Sequence, residues 1–349
     1  MKKYKVGLIG AFGFKEKYTG GQPVKSRNIY KIMCDIYGDE KIKFVETIGW
    51  KKKPIRHLIN VIRLCRQCEE IIMLPANNGV KLYTYLLPFI CNSKTKLYYC
   101  VIGGWLPSLL KADNGLKCVL MKRFKDIWVE TKNMYNALNE LGLTNVHIVP
   151  NFKYIDTVKD TDLSSSLNLP PYRLCTFSRV MKEKGIEDAI TAVINVNNEL
   201  GKEAFLLDIY GAVDESYHSS FDELMKKVPN SIKYCGCVDS LQSVEIIKNY
   251  YALLFPTYYE GEGFAGTLID ALSAGVPVIA SDWKYNSEII TDDLGILYEP
   301  KNVTRLQSIL IDCYNAPENM YKKKKVCLEK SKKYSPETVF NILKGLLEN

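Results

Sequence analysis

Short apolar runs alternate with longer stretches of helical periodicity along the whole chain. In the first half the runs Tyr4–Ile9, Lys41–Gly49, Glu70–Leu74, Lys96–Ile102, Ile127–Val129 and Val146–Val149 read as buried strands. Between them, Pro23–Tyr37, Ile55–Cys68, Val80–Ile90 and Lys132–Leu141 read as helices, the first with proline well placed near its start. The second half repeats the alternation with strands at Arg173–Ser178, Phe205–Tyr210, Ser231–Tyr234, Leu253–Phe255, Val276–Ala280 and Leu294–Tyr298. Helices are expected from Ile186, through Phe264, Leu268, Ile269 and Leu272 up to Gly275, and at Val303–Tyr314, Asn319–Lys332 and Pro336–Leu347. Between the halves, roughly Phe152 to Tyr172, lie a triple serine (Ser164–Ser166) and Pro170-Pro171, the composition of a linker.

Strand–helix alternation of this kind builds parallel sheets, and such sheets bind ligands beyond their strand C-termini. The Gly261–Gly266 turn falls at such a point, ahead of a helix N-terminus. Unpaired N–H groups at a helix start suit phosphate, and the small residues Gly263, Ala265 and Gly266 let backbone approach a ligand closely. Carboxylates beside a phosphate make sense if they accept hydrogen bonds from sugar hydroxyls. Glu262 and Asp270 are eight residues apart, about two helical turns, so they share a face and suit two parts of one elongated ligand. Arg179 and Lys184 flank a turn before the helix at Ile186; two cations there suit a diphosphate.

Apolar content and charge are those of a globular protein. Lysines punctuate the first residues, leaving no run of signal-peptide length, and no stretch approaches the roughly 18 uncharged apolar residues of a membrane span. The expected location is therefore cytoplasmic. Eleven cysteines read as free thiols, and His57, His147 and His218 are too scattered for a metal site. The net charge of +8 splits unevenly. Residues 1–151 hold 25 Lys and Arg against 11 Asp and Glu, or +14; residues 152–349 carry −6. A basic first half and an acidic second half suggest different partners for each. The segment Ile55–Cys68, led by Lys51-Lys52-Lys53, is a basic amphipathic helix with apolar residues at Ile55, Leu58, Ile59, Ile62 and Cys65. That stripe either faces a core, the commoner case, or lies on anionic lipid on the inner face of a membrane. Scattered lysines without a stacking motif argue against nucleic acid.

Glu262, seven residues, Asp270, followed by a small-residue helix end and an apolar strand, resembles the signature of the retaining glycosyltransferases of family 4, the glycosyl transferases group 1. The family motif has Glu where this chain has Asp270. The resemblance implies an α/β fold of two Rossmann-like domains facing across a cleft (GT-B), with a C-terminal helix crossing back to the first domain. It implies an acceptor-binding domain at 1–151, a linker at 152–172, a nucleotide-sugar-binding domain at 173–332 and the returning helix at 333–349. The pattern Ser178-Arg179, four residues, Lys184-Gly185 is similar to the family's Arg/Lys pair, which neutralises the leaving diphosphate. By the same resemblance Glu262 contacts the donor sugar and Asp270 the ribose. Gly20 and Gly21, in a glycine-bearing loop from Gly10, match a pair lying against the donor phosphates. Gly211 stands where a loop approaches the nucleotide, and Gly263, Phe264, Ala265 and Gly266 complete the donor site. Glu288 matches a glutamate taken as structural. Gly104 and Trp105 fall on the acceptor side, where relatives often carry a histidine and this chain has none.

The resemblance implies transfer of a sugar from a nucleotide-diphosphate sugar to a hydroxyl of a glycan or lipid-linked acceptor, as in capsule, lipopolysaccharide or other surface polysaccharide assembly. In the family the leaving phosphate takes the acceptor proton, so no dedicated base is required. The reaction is expected to be metal-independent and to use no cofactor besides the donor. Two other readings stand beside it: a non-catalytic nucleotide-sugar-binding partner of another transferase, and a nucleotide-sugar 2-epimerase of the same fold.

Overall fold

The computed structural model describes residues 3–14, 20–76, 78–112, 115–159 and 169–348. Part of the glycine loop (15–19), Asp113 and the Ser164–Ser166 run lie outside them. The chain divides into two compact units. The first comprises Met1–Tyr154, Gly261–Phe264 and Ser335–Asn349, the second Ile155–Glu260 and Ala265–Tyr334. The segment expected for the second domain, 173–332, is thus interrupted, because the short turn Gly261–Phe264 hydrogen-bonds to residues of the first unit.

In the first unit, strands β1 (Tyr4–Gly10), β2 (Ile42–Glu46), β3 (Cys68–Met73), β4 (Lys96–Cys100), β5 (Asp126–Val129) and β6 (Val146–Ile148) form one parallel sheet. Their order is β2-β1-β3-β4-β5-β6. The helix Gly21–Tyr37 packs Ile29, Ile32 and Met33 into a core that also holds Val339, Leu343 and Leu347 of the last helix, Pro336–Glu348. The C-terminal helix therefore belongs to the first unit, with apolar residues four apart forming its buried stripe.

In the second unit, β7 (Tyr172–Phe177), β8 (Phe205–Tyr210), β9 (Ile232–Gly236), β10 (Ala252–Phe255), β11 (Val278–Ser281) and β12 (Gly295–Tyr298) are also all parallel. Their order, β12-β11-β10-β7-β8-β9, is that of the doubly wound dinucleotide-binding fold read from its far edge. Every residue of β10 and β11 is buried, which explains their continuous apolar runs: both faces of a central parallel strand are covered by helices. The strand order reverses between β7 and β10, so the segments leaving those two strands diverge and open a crevice at their C-terminal ends.

The stripe Ile55, Leu58, Ile59 does not face the core. The helix Pro54–Gln67 buries His57, Val61, Leu64 and Cys65, while Ile55 is 75% exposed and Leu58 and Ile59 remain on the surface. The sheet takes up the other side of this helix, where Leu64 packs against Gly7 of β1. The short helices Leu106–Lys111, Leu116–Met121 and His218–Met225 are not legible in the periodicity; one or two turns are too few to display it.

Candidate functional site

In the second unit the candidate residues gather at the strand C-termini. Arg179 lies two residues beyond β7, in a continuation held by Ser178 N–H to Tyr210 O (3.1 Å) and Val180 N–H to Ala212 O (2.9 Å). Gly211 makes that approach possible. Its φ of +138° is open to glycine, and a Cβ there would sit 1.7 Å from the Ser178 carbonyl oxygen. The Arg179 guanidinium, more than half exposed, reaches Asp214 at 3.5 Å. Asp214 accepts from the hydroxyl and N–H of Ser216, which together with the Arg179 charge hold its carboxyl below the usual range.

Lys184 closes a short turn, Lys182–Lys184, just before the helix Ile186–Glu199. Its ammonium lies 5.1 Å from the ring centre of Tyr259 and 5.7 Å from that of Phe255, a cation–π arrangement. The segment after β10 is fastened to the same turn. Tyr258 N–H donates to Glu183 O at 2.8 Å, and Trp283 Nε1–H donates to Tyr259 O at 2.8 Å. Both cations therefore stand at the switch point of the sheet, one beyond β7 and one beside the segment leaving β10.

Ala265 and Gly266 open the helix Gly266–Ser273, Ala265 as its extended N-cap. Asp270 lies in the second turn, 2% exposed. Thr267, in the first turn, carries no signal in the sequence pattern. Its buried hydroxyl has no hydrogen-bond partner among the described residues, an uncommon state for a buried polar atom.

The first unit holds a second constellation. Gly104 N–H donates to Gly261 O at 3.3 Å, Phe264 N–H to Glu130 Oε2 at 3.1 Å, and Asn151 Nδ2 to Phe264 O at 2.9 Å. The turn carrying Glu262, itself buried, is thus pinned at both ends. Gly263 passes so close to Gly103 that an added Cβ would lie 2.8 Å from the Gly103 Cα. Glu130 also accepts from the buried Lys25 ammonium, which donates in addition to Val101 O at 3.1 Å. Trp105, half-buried, precedes the helix Leu106–Lys111. Gly20 is the extended N-cap of the helix that begins at Gly21. Glu46, at the end of β2, orders the loop after β1 by accepting from Phe12 N–H and Gly13 N–H.

Sequence reasoning misses Lys25, Glu130, Glu46 and Asn151. A signal exists for Lys25: it occupies the apolar stripe of its helix, four residues before the buried Ile29. Asp126 starts β5 at the opposite end of the strand from Glu130 and lies 3.1 Å from His147. Burial pushes its carboxyl up, against the pull of His147. Among the described residues no group of three or more His, Cys, Asp or Glu is placed to hold a metal.

Residues 158–333, half of the chain, match the family described as glycosyl transferases group 1. The GtfA subunit of UDP-N-acetylglucosamine–peptide N-acetylglucosaminyltransferase of Streptococcus pneumoniae is 31% identical over 142 residues, covering 40% of this chain and 25% of that one. The chain thus matches about a quarter of that curated relative's length. Among solved structures, Alr3699/HepE of Anabaena in complex with UDP superposes with a TM-score of 0.75 at 13% identity, over 99% of each chain. Sucrose-phosphate synthase from Thermosynechococcus elongatus gives 0.76 at 14%, over 99% of this chain and 98% of that one. These likenesses concern the fold.

Proposed function

The chain belongs to the glycosyl transferases group 1, and we propose that it is a retaining family 4 enzyme. It moves a hexose-type sugar from a nucleotide-diphosphate sugar to a hydroxyl of a glycan or lipid-linked acceptor in surface polysaccharide assembly. The observation that carries this reading is the placing of Arg179 and Lys184 at the switch point of a doubly wound sheet. A diphosphate leaving group develops negative charge as the glycosidic bond breaks. Two preorganised cations stabilise it most at that moment, each charge-assisted bond contributing about 1.5–3 kcal/mol. Their charge does the work that a divalent ion performs elsewhere, so the proposed reaction needs no metal.

In this reading Gly211, Ala265 and Gly266 bring backbone to the donor, with Gly20, Gly21, Gly263 and Phe264 completing the donor set. Glu262 orients the sugar and Asp270 binds the ribose. Gly104 and Trp105 stand on the acceptor side. The leaving phosphate takes the acceptor proton, so the lack of a histidine beside Trp105 removes no required base. Uridine is the base to try first, because the GtfA relative is named for a UDP-sugar and HepE was solved with UDP.

The test is turnover with a panel of UDP-, GDP-, ADP- and TDP-sugars plus a membrane lipid extract, following released nucleotide and labelled lipid. Transfer from one donor with retained anomeric configuration, lost in a folded Arg179→Ala variant, is the expected result. Donor binding without transfer to any acceptor would favour the non-catalytic partner. No binding of any donor would overturn the site.

A further inference from the structure

The first unit carries a face that the transferase reading does not use. The helices Pro54–Gln67, Asn78–Ile90, Leu106–Lys111 and Leu116–Met121 connect β2 to β3, β3 to β4 and β4 to β5. Those steps all run the same way across the sheet, while the step from β1 to β2 runs the other way. Right-handed crossovers therefore put the four helices on one face, opposite the helix Gly21–Tyr37. Side chains tie the group together. His57 of the first helix hydrogen-bonds Tyr83 of the second. Lys117 stands 5.6 Å from the Tyr85 ring centre and Arg123 5.9 Å from that of Phe89.

The outer surface of this layer is apolar where solvent would favour polar residues. Ile55, Leu58 and Ile59 recur at helical spacing on the outside of the first helix, and Phe89 (72%) and Val119 (60%) are strongly exposed on the second and fourth. The core takes none of these side chains. The four helices contain no Asp or Glu, and they carry Arg56, Arg63, Arg66, Lys81, Lys111 and Lys117. Exposed Lys51, Lys52 and Lys53 precede the first helix, and Lys122 and Arg123 follow the fourth. By the 100° step of the helix Arg56 and Arg63 fall on one flank of the Ile55–Leu58–Ile59 stripe, and Arg66 falls between Ile55 and Ile59 at its C-terminal end. No helix among the described residues is long and apolar enough to cross a membrane.

We propose that this face docks the first unit on an anionic lipid bilayer, its apolar side chains entering the headgroup boundary and its cations pairing with lipid phosphates. Charge selects the occupant. A second copy would set the same cations against each other, whereas an anionic bilayer complements both the apolar stripe and its basic flank. Docking of this kind involves the first unit alone and does not depend on which donor or acceptor is used.

The test is sedimentation of the purified full chain with vesicles of phosphatidylcholine alone or mixed with phosphatidylglycerol, across a salt series. Two surface variants accompany it: Ile55→Ser/Ile59→Ser/Phe89→Ser and Arg56→Gln/Arg63→Gln/Lys81→Gln. All these side chains are exposed, so both should melt with the wild-type chain. The wild type should sediment with anionic vesicles and be released as salt shortens the screening length. Each cation removed should weaken partitioning about fivefold, and the apolar variant should lose at least an order of magnitude. Absent binding, equal binding to neutral vesicles, or equal binding by folded variants would overturn the proposal. Self-association without vesicles that disappears in the apolar variant would assign the face to a second copy, overturning it as well.

Discussion

The carboxylate of Glu130 joins the buried ammonium of Lys25 to the backbone N–H of Phe264, from which it accepts at 3.1 Å. Residues more than a hundred positions apart in sequence thereby hold the turn that carries Glu262. Removing one member of a buried pair strands the other charge, a cost of about 3–5 kcal/mol. Lys25→Met and Glu130→Gln should each lower the melting temperature, and the double variant should cost less than the two singles together. Thermal melts of the four proteins form the cycle. Additive losses would mean the two side chains are not coupled.

Arg179→Ala and Lys184→Ala should each reduce kcat/KM for the donor by roughly 10–150-fold, the equivalent of one charge-assisted bond. Stability should barely change for Arg179, whose ion pair with Asp214 is exposed. Arg179→Lys should restore part of the loss, since a point charge replaces a two-pronged donor. Steady-state kinetics beside thermal melts separate the two effects.

Gly211→Ala tests the approach of the loops after β7 and β8. Its Cβ would overlap the Ser178 carbonyl, and its φ disfavours any side chain. Overpacking of this kind costs about 1–3 kcal/mol. The loop should shift and carry Arg179 with it, so donor affinity measured by calorimetry should fall together with stability.

Thr267→Val should lower neither of those two quantities. The buried hydroxyl has no partner among the described residues, so its removal should leave stability unchanged or raise it by about 1 kcal/mol. Donor affinity should stay unchanged, because the hydroxyl is closed off from the surface, and Thr267→Ser should behave like the wild type. A melt and a donor titration on each variant read out both.

Burial lowers the pKa of His57 below its ordinary value of 6.5. The unfolded chain then binds more protons than the folded one as pH drops below 6.5, so stability is full above that value and is lost as pH falls through the folded pKa. His57→Gln should flatten this part of the profile. Melting temperatures between about pH 7.5 and 5, compared for the two proteins at about half-unit steps, measure the slope assigned to this group.

The alternation of strands and helices, the two halves and the motif residues are all legible in the sequence. Fully buried strands such as β10 and β11 must be apolar throughout, and glycine turns with flanking charges mark where such strands end. Arg179, Lys184, Glu262 and Asp270 are visible because their spacing is local, set by one turn or one helix. Three further features arise only when distant parts of the chain meet. Gly261–Phe264 joins the first unit, because hydrogen bonds with Gly104, Glu130 and Asn151 link residues far apart in the chain. Lys25 pairs with Glu130, which no local spacing announces. Ile55, Leu58 and Ile59 turn outward. Periodicity reveals that a helix has an apolar stripe, but the surface that stripe meets depends on how the helix is rotated against the sheet.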